Sequence, residues 1–361
     1  MTRSFYKFVK THPRKGRNIR NIAYLEGRYA APFNGFICDS EQDPHYSVWG
    51  YFGNDAPEWG HNQPEKAQQV LDVLMPGATT HPLRQKFDKR RFYFSGTPYG
   101  DFDNVPVEAS EEYLKNYKLL LNLGWNTAIP EDISKLKAYV ENGGTLLTGI
   151  TQFSTHIKRE FLKDMKDLSL FNDGDLSDIC GIKVNGAGER YSGVWNTLQR
   201  ELMQEPDLSA LPSDDAEEDG TALLADIELC GAEVVAWDAF TGKPMLVKHK
   251  IGKGYVCTFT LWAYPGHEKF QKFSASWVMK LSKHACGNLY VEDESKEIFW
   301  TVWEHDNKKR IMLLNTDWTS KQNAKKVTVR YNGKSVPVSV EERTLVVVNV
   351  DDNFEINTYT L

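Results

Sequence analysis

The rhythm of apolar and polar positions changes twice along the chain. Between residues 109 and 171, short apolar runs alternate with amphipathic ones. ASEEYLKNY has helical spacing, and YKLLLNLG is an apolar run of strand length that stops at Gly124. PEDISKLKAYVENGG predicts a helix, with Pro130 and acidic groups in its first turn and Gly143 and Gly144 ending it. TLLTG predicts a second buried strand and STHIKREFLKDMKDLSLF a further helix. Upstream, Asn21 to Leu25 predicts a strand, PEKAQQVLDVLM a helix opened by Pro64, and RRFYFSG another strand. Strands and helices alternating at these lengths imply an α/β fold, a parallel sheet with helices on both faces and right-handed crossovers.

The second rhythm begins near residue 222. ELCGAEVVAWD, KPMLVKHK and KGYVCTFTLW are strand-like and separated by TG and IGKG turns. They predict antiparallel edge strands or hairpins ending the α/β domain, which the amphipathic helix HEKFQKFSASWVMKLSKHA closes. From 287 to 361 every apolar run is short and turn-bounded: EIFWTVWEHD, KKRIMLLNTD, KKVTVRYNG, SVPVSVEER, TLVVVNV and EINTYTL. Charges alternate with apolar residues as on half-buried strands, so this stretch predicts a small all-β sandwich. The expected organisation is a basic arm at 1–18, an α/β domain at 19–286 and a β-sandwich at 287–361.

Composition narrows the functional classes. The 361 residues are 41% hydrophobic and 25% charged, with a formal net charge of −6. These values fit a soluble globular protein and exclude a largely disordered chain. No apolar window approaches the roughly 18 residues of a spanning helix, so no membrane partner is expected. The opening MTRSFYKFVKTHPRKGRNIR has no apolar core of a secretory signal. A cytoplasmic location is expected if residue 1 is the natural start, and a periplasmic or secreted one if the chain is a fragment.

Arg3, Lys7, Lys10, Arg14, Lys15, Arg17 and Arg20 give the first 20 residues seven of the 43 basic groups and none of the 49 acidic ones. Such an arm suits a polyanion, or an acidic neighbour on which it packs. The acidic remainder disfavours a nucleic-acid-binding body. The five cysteines, Cys38, Cys180, Cys230, Cys257 and Cys286, have no CxxC or Cys/His rhythm. LPSDDAEEDG lacks the spacing of an EF-hand. No metal and no cofactor are expected.

Open α/β sheets bind ligands beyond the carboxyl ends of their strands. That rule selects Gly124, Trp125, Asn126 and Thr127 after one strand, and Gly149, Ile150, Thr151 and Gln152 after the next. Loop tryptophans suit sugars, whose C–H faces stack on aromatic rings; Trp125, Trp49 and Trp59 are the candidates, and packing onto the loop's own domain is the plainer role. Arg28 and Asn34 lie in the same long loop as Trp49 and Trp59. Glycoside hydrolysis needs two carboxyl groups about 5 to 10 Å apart. Asp39 and Glu41, crowded with Asp43 and His45, form one candidate pair. Asp101 and Asp103 in YGDFD form the other, with Tyr99 beside them as a sugar contact. The alternative for YGDFD is a turn whose carboxylates cap backbone groups.

The segment from PYGDFDNVPVEAS through LKNYKLLLNLGWNTAIPEDISKLKAYVENGGTLLTGITQFST resembles the glutamine-amidotransferase-like domain of large carbohydrate-active enzymes. It is similar to the domain that follows the catalytic barrel in lacto-N-biose phosphorylase and in galactosidases with a trimerisation domain. IGKGYVCTFTLWAYPGHE resembles the final hairpin of that domain, and the trailing sandwich matches the order in those enzymes. The resemblance covers roughly residues 20 to 361 and implies a flavodoxin-like sheet. It also implies that glycosidic chemistry belongs to an upstream barrel for which this sequence has no room. In an amidotransferase a cysteine in a Gly-x-Cys-x-Gly turn attacks the amide; here GITQF puts Thr151 at that position, a degenerate nucleophile, while His267 and Glu268 are similar to the family's His-Pro-Glu.

The expected function is an accessory or oligomerisation region of a carbohydrate-active enzyme related to glycoside hydrolases. It would contribute to subunit assembly or to the rim of a glycan site. The expected partners are an oligosaccharide or polysaccharide, and either further copies of the chain or an upstream catalytic barrel. A self-contained glycoside hydrolase using loop carboxylates and a non-catalytic carbohydrate-binding protein are the alternatives.

Overall fold

The computed structural model describes residues 2–11, 15–26, 73–74, 98–124, 128–155, 169–198, 222–267, 269–295, 297–316 and 324–360. They fall into two compact units. One comprises Ile22–Val70 and Asn104–Leu281; the other is gathered from Met1–Asn21, Leu71–Asp103 and Ser282–Leu361. The chain opens in the latter with helix α1 (Thr2–Thr11) and strand β1 (Arg17–Ile19).

The α/β unit is built on β2 (Ile22–Glu26), β3 (Asp103–Pro106), β4 (Leu119–Asn122) and β5 (Thr145–Gly149), with helices α2 (Glu111–Leu114) and α3 (Pro130–Glu141) between them. The short strands β6 (Ser154–Thr155), β7 (Ser169–Leu170) and β8 (Asp175–Leu176) and helix α4 (Ser177–Cys180) follow. Next come β9 (Ile182–Arg190), β10 (Trp195–Thr197), β11 (Leu223–Leu229), β12 (Glu233–Asp238), β13 (Pro244–Ile251), β14 (Gly254–Phe259) and helix α5 (Gln271–Cys286). The main sheet runs β10-β12-β13-β14-β5-β4-β2-β3. Its strands β2, β4, β5 and β14 are mutually parallel, in the register Ile22↔Leu119, Leu119↔Thr145 and Thr145↔Tyr255. Beyond β14 the neighbours β13, β12 and β10 are antiparallel. The sheet is therefore mixed, where the alternating elements alone predict a parallel one. The reason is local: the TG and IGKG turns are too short for a crossover, which takes a dozen or more residues.

Strands β2, β4 and β5 are buried on both faces, as their unbroken apolar runs require. Ala23, Leu25, Leu120, Leu146 and Val256 share a core with Leu136, Tyr139 and Val140 of α3 and with Ile179 of α4. Each of the leucine, isoleucine and valine side chains withdrawn from water there contributes about 1.5–3 kcal/mol. Helix α3 starts at Pro130 and ends as its glycines dictate. Gly143, at φ +111°, donates to the Val140 carbonyl at 2.9 Å, and Gly144 to that of Tyr139 at 3.2 Å. Helix α2 is shorter than the ASEEYLKNY pattern predicts. The Asn116 amide turns back onto the Tyr113 carbonyl at 2.9 Å, and buried Tyr117 brings the chain into β4. Phe273 of α5 stacks edge-on against Phe259 and Trp195. The segments 64–72, 75–97, 156–168 and 199–221 lie outside the described residues, and with them most of the expected helix at 64–75, the strand RRFYFSG and the acidic loop. The helix expected over STHIKREFLKDMKDLSLF is not formed at its ends, where Ser154–Thr155 and Ser169–Leu170 pair as the antiparallel strands β6 and β7.

The other unit carries two antiparallel sheets. Its strands are β15 (Leu289–Glu292), β16 (Ile298–His305), β17 (Lys308–Asn315), β18 (Lys325–Tyr331), β19 (Lys334–Val340), β20 (Thr344–Asn349) and β21 (Glu355–Thr360). One sheet runs β1-β16-β17-β20-β21 and the other β15-β18-β19. Alternate residues turn inward: Trp300, Ile311, Leu313, Val346 and Val348 from the first sheet meet Val291, Val327, Val329, Val338 and Val340 from the second. The β16–β17 and β18–β19 hairpins close through Asp306-Asn307 and Asn332-Gly333, all four at positive φ, as two-residue turns of a right-twisted hairpin demand. Strand β1 extends the first sheet, with Arg17 opposite Glu304 and Ile19 opposite Val302. Among the described residues no helix is long and apolar enough to cross a membrane.

Candidate functional site

The carboxyl ends of β4 and β5 are where an α/β sheet holds a ligand. Here they are filled by the chain itself. A 3₁₀ turn, Ile150–Phe153, follows β5 and places Thr151 and Gln152 in full burial. The Gln152 amide donates to the Gly124 carbonyl at the end of β4, at 3.0 Å, and approaches that of Leu123 at 3.4 Å. Its carbonyl oxygen accepts from the Thr151 hydroxyl at 3.2 Å. A Cβ at Gly149 would lie 2.4 Å from Gln152 Oε1, so any larger residue there would displace the Gln152 side chain. A Cβ on Gly124 would likewise stand 2.7 Å from the Tyr24 hydroxyl. That phenol is buried, and burial, reinforced by the Glu26 charge, pushes its pKa upward.

A nucleophilic hydroxyl requires a base to take its proton. Thr151 gives its hydrogen to a neutral amide instead. His267 is also buried, and its Nδ1 accepts from the Lys269 backbone N–H at 3.2 Å. Beneath these groups the Asn122 amide donates to Thr148 Oγ1 at 3.1 Å, joining β4 to β5 through side chains. Glu268, Trp125 and Asn126 lie outside the described residues.

Asp101, Asp103 and Tyr99 belong to the sandwich unit. Arg20 spans both carboxylates: Nε reaches Asp101 Oδ2 at 2.9 Å and a terminal nitrogen reaches Asp103 Oδ1 at 2.7 Å. Asp101 Oδ2 also accepts from the Asn18 amide at 2.9 Å and lies 3.5 Å from Thr301 Oγ1. Burial works against the Arg20 charge, but the two carboxylates outweigh it and raise the guanidinium's pKa. A guanidinium shared in this way occupies lone pairs that an acid–base pair would turn toward a substrate. Tyr99 packs against the sandwich core; its carbonyl accepts from the Cys286 thiol at 3.2 Å, and burial pushes its phenol upward. Asp39 and Glu41, with Asp43 and His45, and the glycan-contact candidates Arg28, Asn34, Trp49 and Trp59 lie outside the described residues.

Sequence reasoning passed over a heavily bonded carboxylate. Asp238, fully buried at the end of β12, accepts through Oδ1 from the Phe240 and Thr241 backbone N–H groups and from Thr241 Oγ1, at 3.1, 2.8 and 3.0 Å. Through Oδ2 it accepts from Ser192 N and Oγ, at 2.9 and 2.6 Å. Burial pushes this acid up, yet the hydrogen bonds from Ser192 and Thr241 prevail and hold it at about 2. The turn it fixes presents Phe240, 79% exposed, beside Val194 and next to the outermost strand β10. The legible signal is local: Asp followed by Thr and Gly at the third and fourth positions spells a side-chain-capped turn. Among the described residues no group of three or more His, Cys, Asp or Glu is placed to hold a metal ion.

No protein-family model matches the chain, and no curated protein matches it in sequence. Solved structures match its fold. The crystal structure of a β-galactosidase from Bacillus circulans sp. alkalophilus superposes with a TM-score of 0.50 at 14% identity, over 92% of this chain and 41% of that one. A β-galactosidase from the Antarctic haloarchaeon Halorubrum lacusprofundi gives 0.48 at 14% identity, over 96% of this chain and 42% of its own. A β-galactosidase from Rahnella sp. R3 gives 0.45 at 12% identity, over 96% and 42%. The chain spans about two fifths of the length of these proteins.

Proposed function

We propose that the chain is an accessory and assembly region of a carbohydrate-active enzyme related to glycoside hydrolases. In this reading its α/β unit is a glutamine-amidotransferase-like, flavodoxin-like domain that has lost its nucleophile, and its reaction is carried out by a partner barrel. The observation that carries the reading is one of extent. The match spans 92% of this chain and 41% of a β-galactosidase whose length is more than twice its own.

The interior chemistry supports it. Gln152 bridges the strand ends, the Thr151 hydroxyl donates to the Gln152 side chain and no base meets it among the described residues, and Asp101 and Asp103 are paired with Arg20. In this reading the chain holds subunits together and borders a glycan site on a neighbour. Trp125 and Asn126 directly follow Gly124 in the chain, and with Arg28, Trp49 and Trp59 they are the side chains proposed to meet that glycan. Stacking on an aromatic face and hydrogen bonding to sugar hydroxyls are the contacts they offer.

Assembly is tested by light scattering across a concentration series together with thermal unfolding. An oligomer of fixed stoichiometry whose unfolding temperature rises with protein concentration is the expected result. A monomer at every concentration would overturn the assembly role.

A further inference from the structure

The chain is acidic overall, yet one long stretch of it is basic. From Lys243 to Val291 it holds eight lysines and a single acid, Glu268, in a sequence whose formal net charge is −6. The fold brings three of these lysines, all in the α/β unit, to one face of the main sheet. Lys248 and Lys250 lie two residues apart on β13, so both leave the sheet on the same side, about 7 Å apart along the strand. Their partners on β14 are Cys257 and Tyr255. The other side of β13 takes Val247 and Ile251 into the core shared with α3 and α4. Lys280 reaches the lysine face from α5, whose Phe273 stacks on Phe259, two residues past Cys257. Burial pushes the Cys257 thiol up to about 11, and the Lys248 and Lys280 charges both act against that rise.

Two of the ammonium groups are held in place. Lys248 Nζ stands 3.7 Å from the Tyr255 ring centre, and Lys280 Nζ 4.7 Å from that of Trp277. A ring face attracts a cation, and a lysine so placed has less rotamer freedom left to lose when a ligand arrives. Lys250 is exposed, and neither it nor Lys248 makes an ion pair among the described residues. The carboxylate that faces them is Glu233 of β12, opposite Lys248 in the register and exposed. Three cations against one carboxylate leave this face positive.

We infer that this face binds an anionic glycan, a saccharide chain bearing carboxylate or sulfate groups, with Lys248, Lys250 and Lys280 meeting the anions. The inference rests on the carbohydrate reading above and names a ligand class within it. Charge selects an anion, and the extent of the charge selects a glycan over a nucleic acid. A DNA duplex carries one charge per about 1.7 Å of its axis, and binding it calls for a long basic stripe. Here the cations form a bounded patch on an acidic chain. No arginine, whose planar fork grips phosphate through two hydrogen bonds, occurs between residues 201 and 309. A charged glycan bears its anions at intervals of a sugar ring, with neutral hydroxyls between them, so a few lysines suffice for it. The contact is electrostatic at an exposed surface and weakens with salt.

Biolayer interferometry of the full chain on immobilised ligands tests it. The ligands are an oligogalacturonate for carboxylate, a sulfated galactan for sulfate, a neutral galactan and a DNA duplex. Binding to at least one anionic glycan is expected, with the neutral galactan and the duplex at least about tenfold weaker. Raising salt from about 0.1 M to about 1 M, which cuts the screening length from roughly 10 Å to roughly 3 Å, weakens the binding. Lys248→Gln with Lys250→Gln weakens it at least about tenfold. Glu233→Gln, which removes the opposing charge and leaves the lysines in place, strengthens it. Lys7→Gln with Lys10→Gln, in the basic arm, leaves it unchanged. An unchanged circular dichroism spectrum shows that each variant is folded. Equal binding to the neutral galactan would overturn the inference and leave the carbohydrate reading standing. Equal binding to the duplex, no binding to either anionic glycan, or a loss that follows Lys7 and Lys10 in place of Lys248 and Lys250 would also overturn it. The assembly reading keeps its own measurement, since light scattering requires no glycan.

Discussion

Two carboxylate constellations in this molecule hold their charge by opposite means. In YGDFD, two acids close in sequence share one cation, so Asp101, Asp103 and Arg20 neutralise each other at a half-buried surface of the sandwich unit. At Asp238 a single buried acid is held by five neutral donors, with no cation paired to it among the described residues. The first is a candidate catalytic pair in sequence, and in the structure a single guanidinium joins its two carboxylates. The second has only the local signature of a side-chain-capped turn, and its hydrogen bonds hold the acid at about 2 while they fix that turn. A shifted carboxylate identifies a place where structure is concentrated, and chemistry follows only where a substrate can reach it.

Removing the lone acid has the largest expected effect. Asp238→Ala strands donors from Ser192, Phe240 and Thr241 and costs about 3 kcal/mol, read from the denaturant midpoint of the α/β unit. The same contrast appears on acidification. Because Asp238 is depressed from 3.8 to about 2 in the folded protein, its stabilisation is complete above the unfolded value and is lost as pH falls through about 2. Asp238→Asn therefore flattens the stability profile between those two values. A profile that keeps its slope would assign the acid sensitivity elsewhere.

Breaking the shared pair has a smaller effect, because Arg20, Asp101 and Asp103 keep side-chain exposures of 32, 19 and 23%. Arg20→Met should cost about 1–2 kcal/mol, and adding Asp101→Asn should return part of it. An additive double variant would deny the coupling. At the bottom of the scale, Phe240→Ala changes stability by less than about 0.5 kcal/mol, since the ring is exposed.

The elements legible in the sequence were those whose causes are local. Pro130 and Gly143 bound α3, unbroken apolar runs mark β4 and β5, and the short turns of the sandwich fix its hairpins. The mixed character of the main sheet was partly legible, because the TG and IGKG turns require antiparallel neighbours. The pairing of β1 with β16 was not: Arg17-Asn18-Ile19 has too few residues for a period, and its partner lies 283 or more residues away. The candidate sites follow the same division. GITQF identified the position of Thr151, but the closing of the crevice depends on Gln152 reaching a different strand. YGDFD gave two aspartates on one side of an extended stretch, while the Arg20 that joins them comes from beyond β1.

The central claim is that this chain supports glycan chemistry without performing it. Released monosaccharide and new reducing ends, measured after incubating the folded protein alone with a broad panel of plant and host glycans, test it most directly. The account predicts no product above the buffer control. Product that disappears in Asp39→Asn, Glu41→Gln or Asp101→Asn would contradict it and make the chain a self-contained glycosidase.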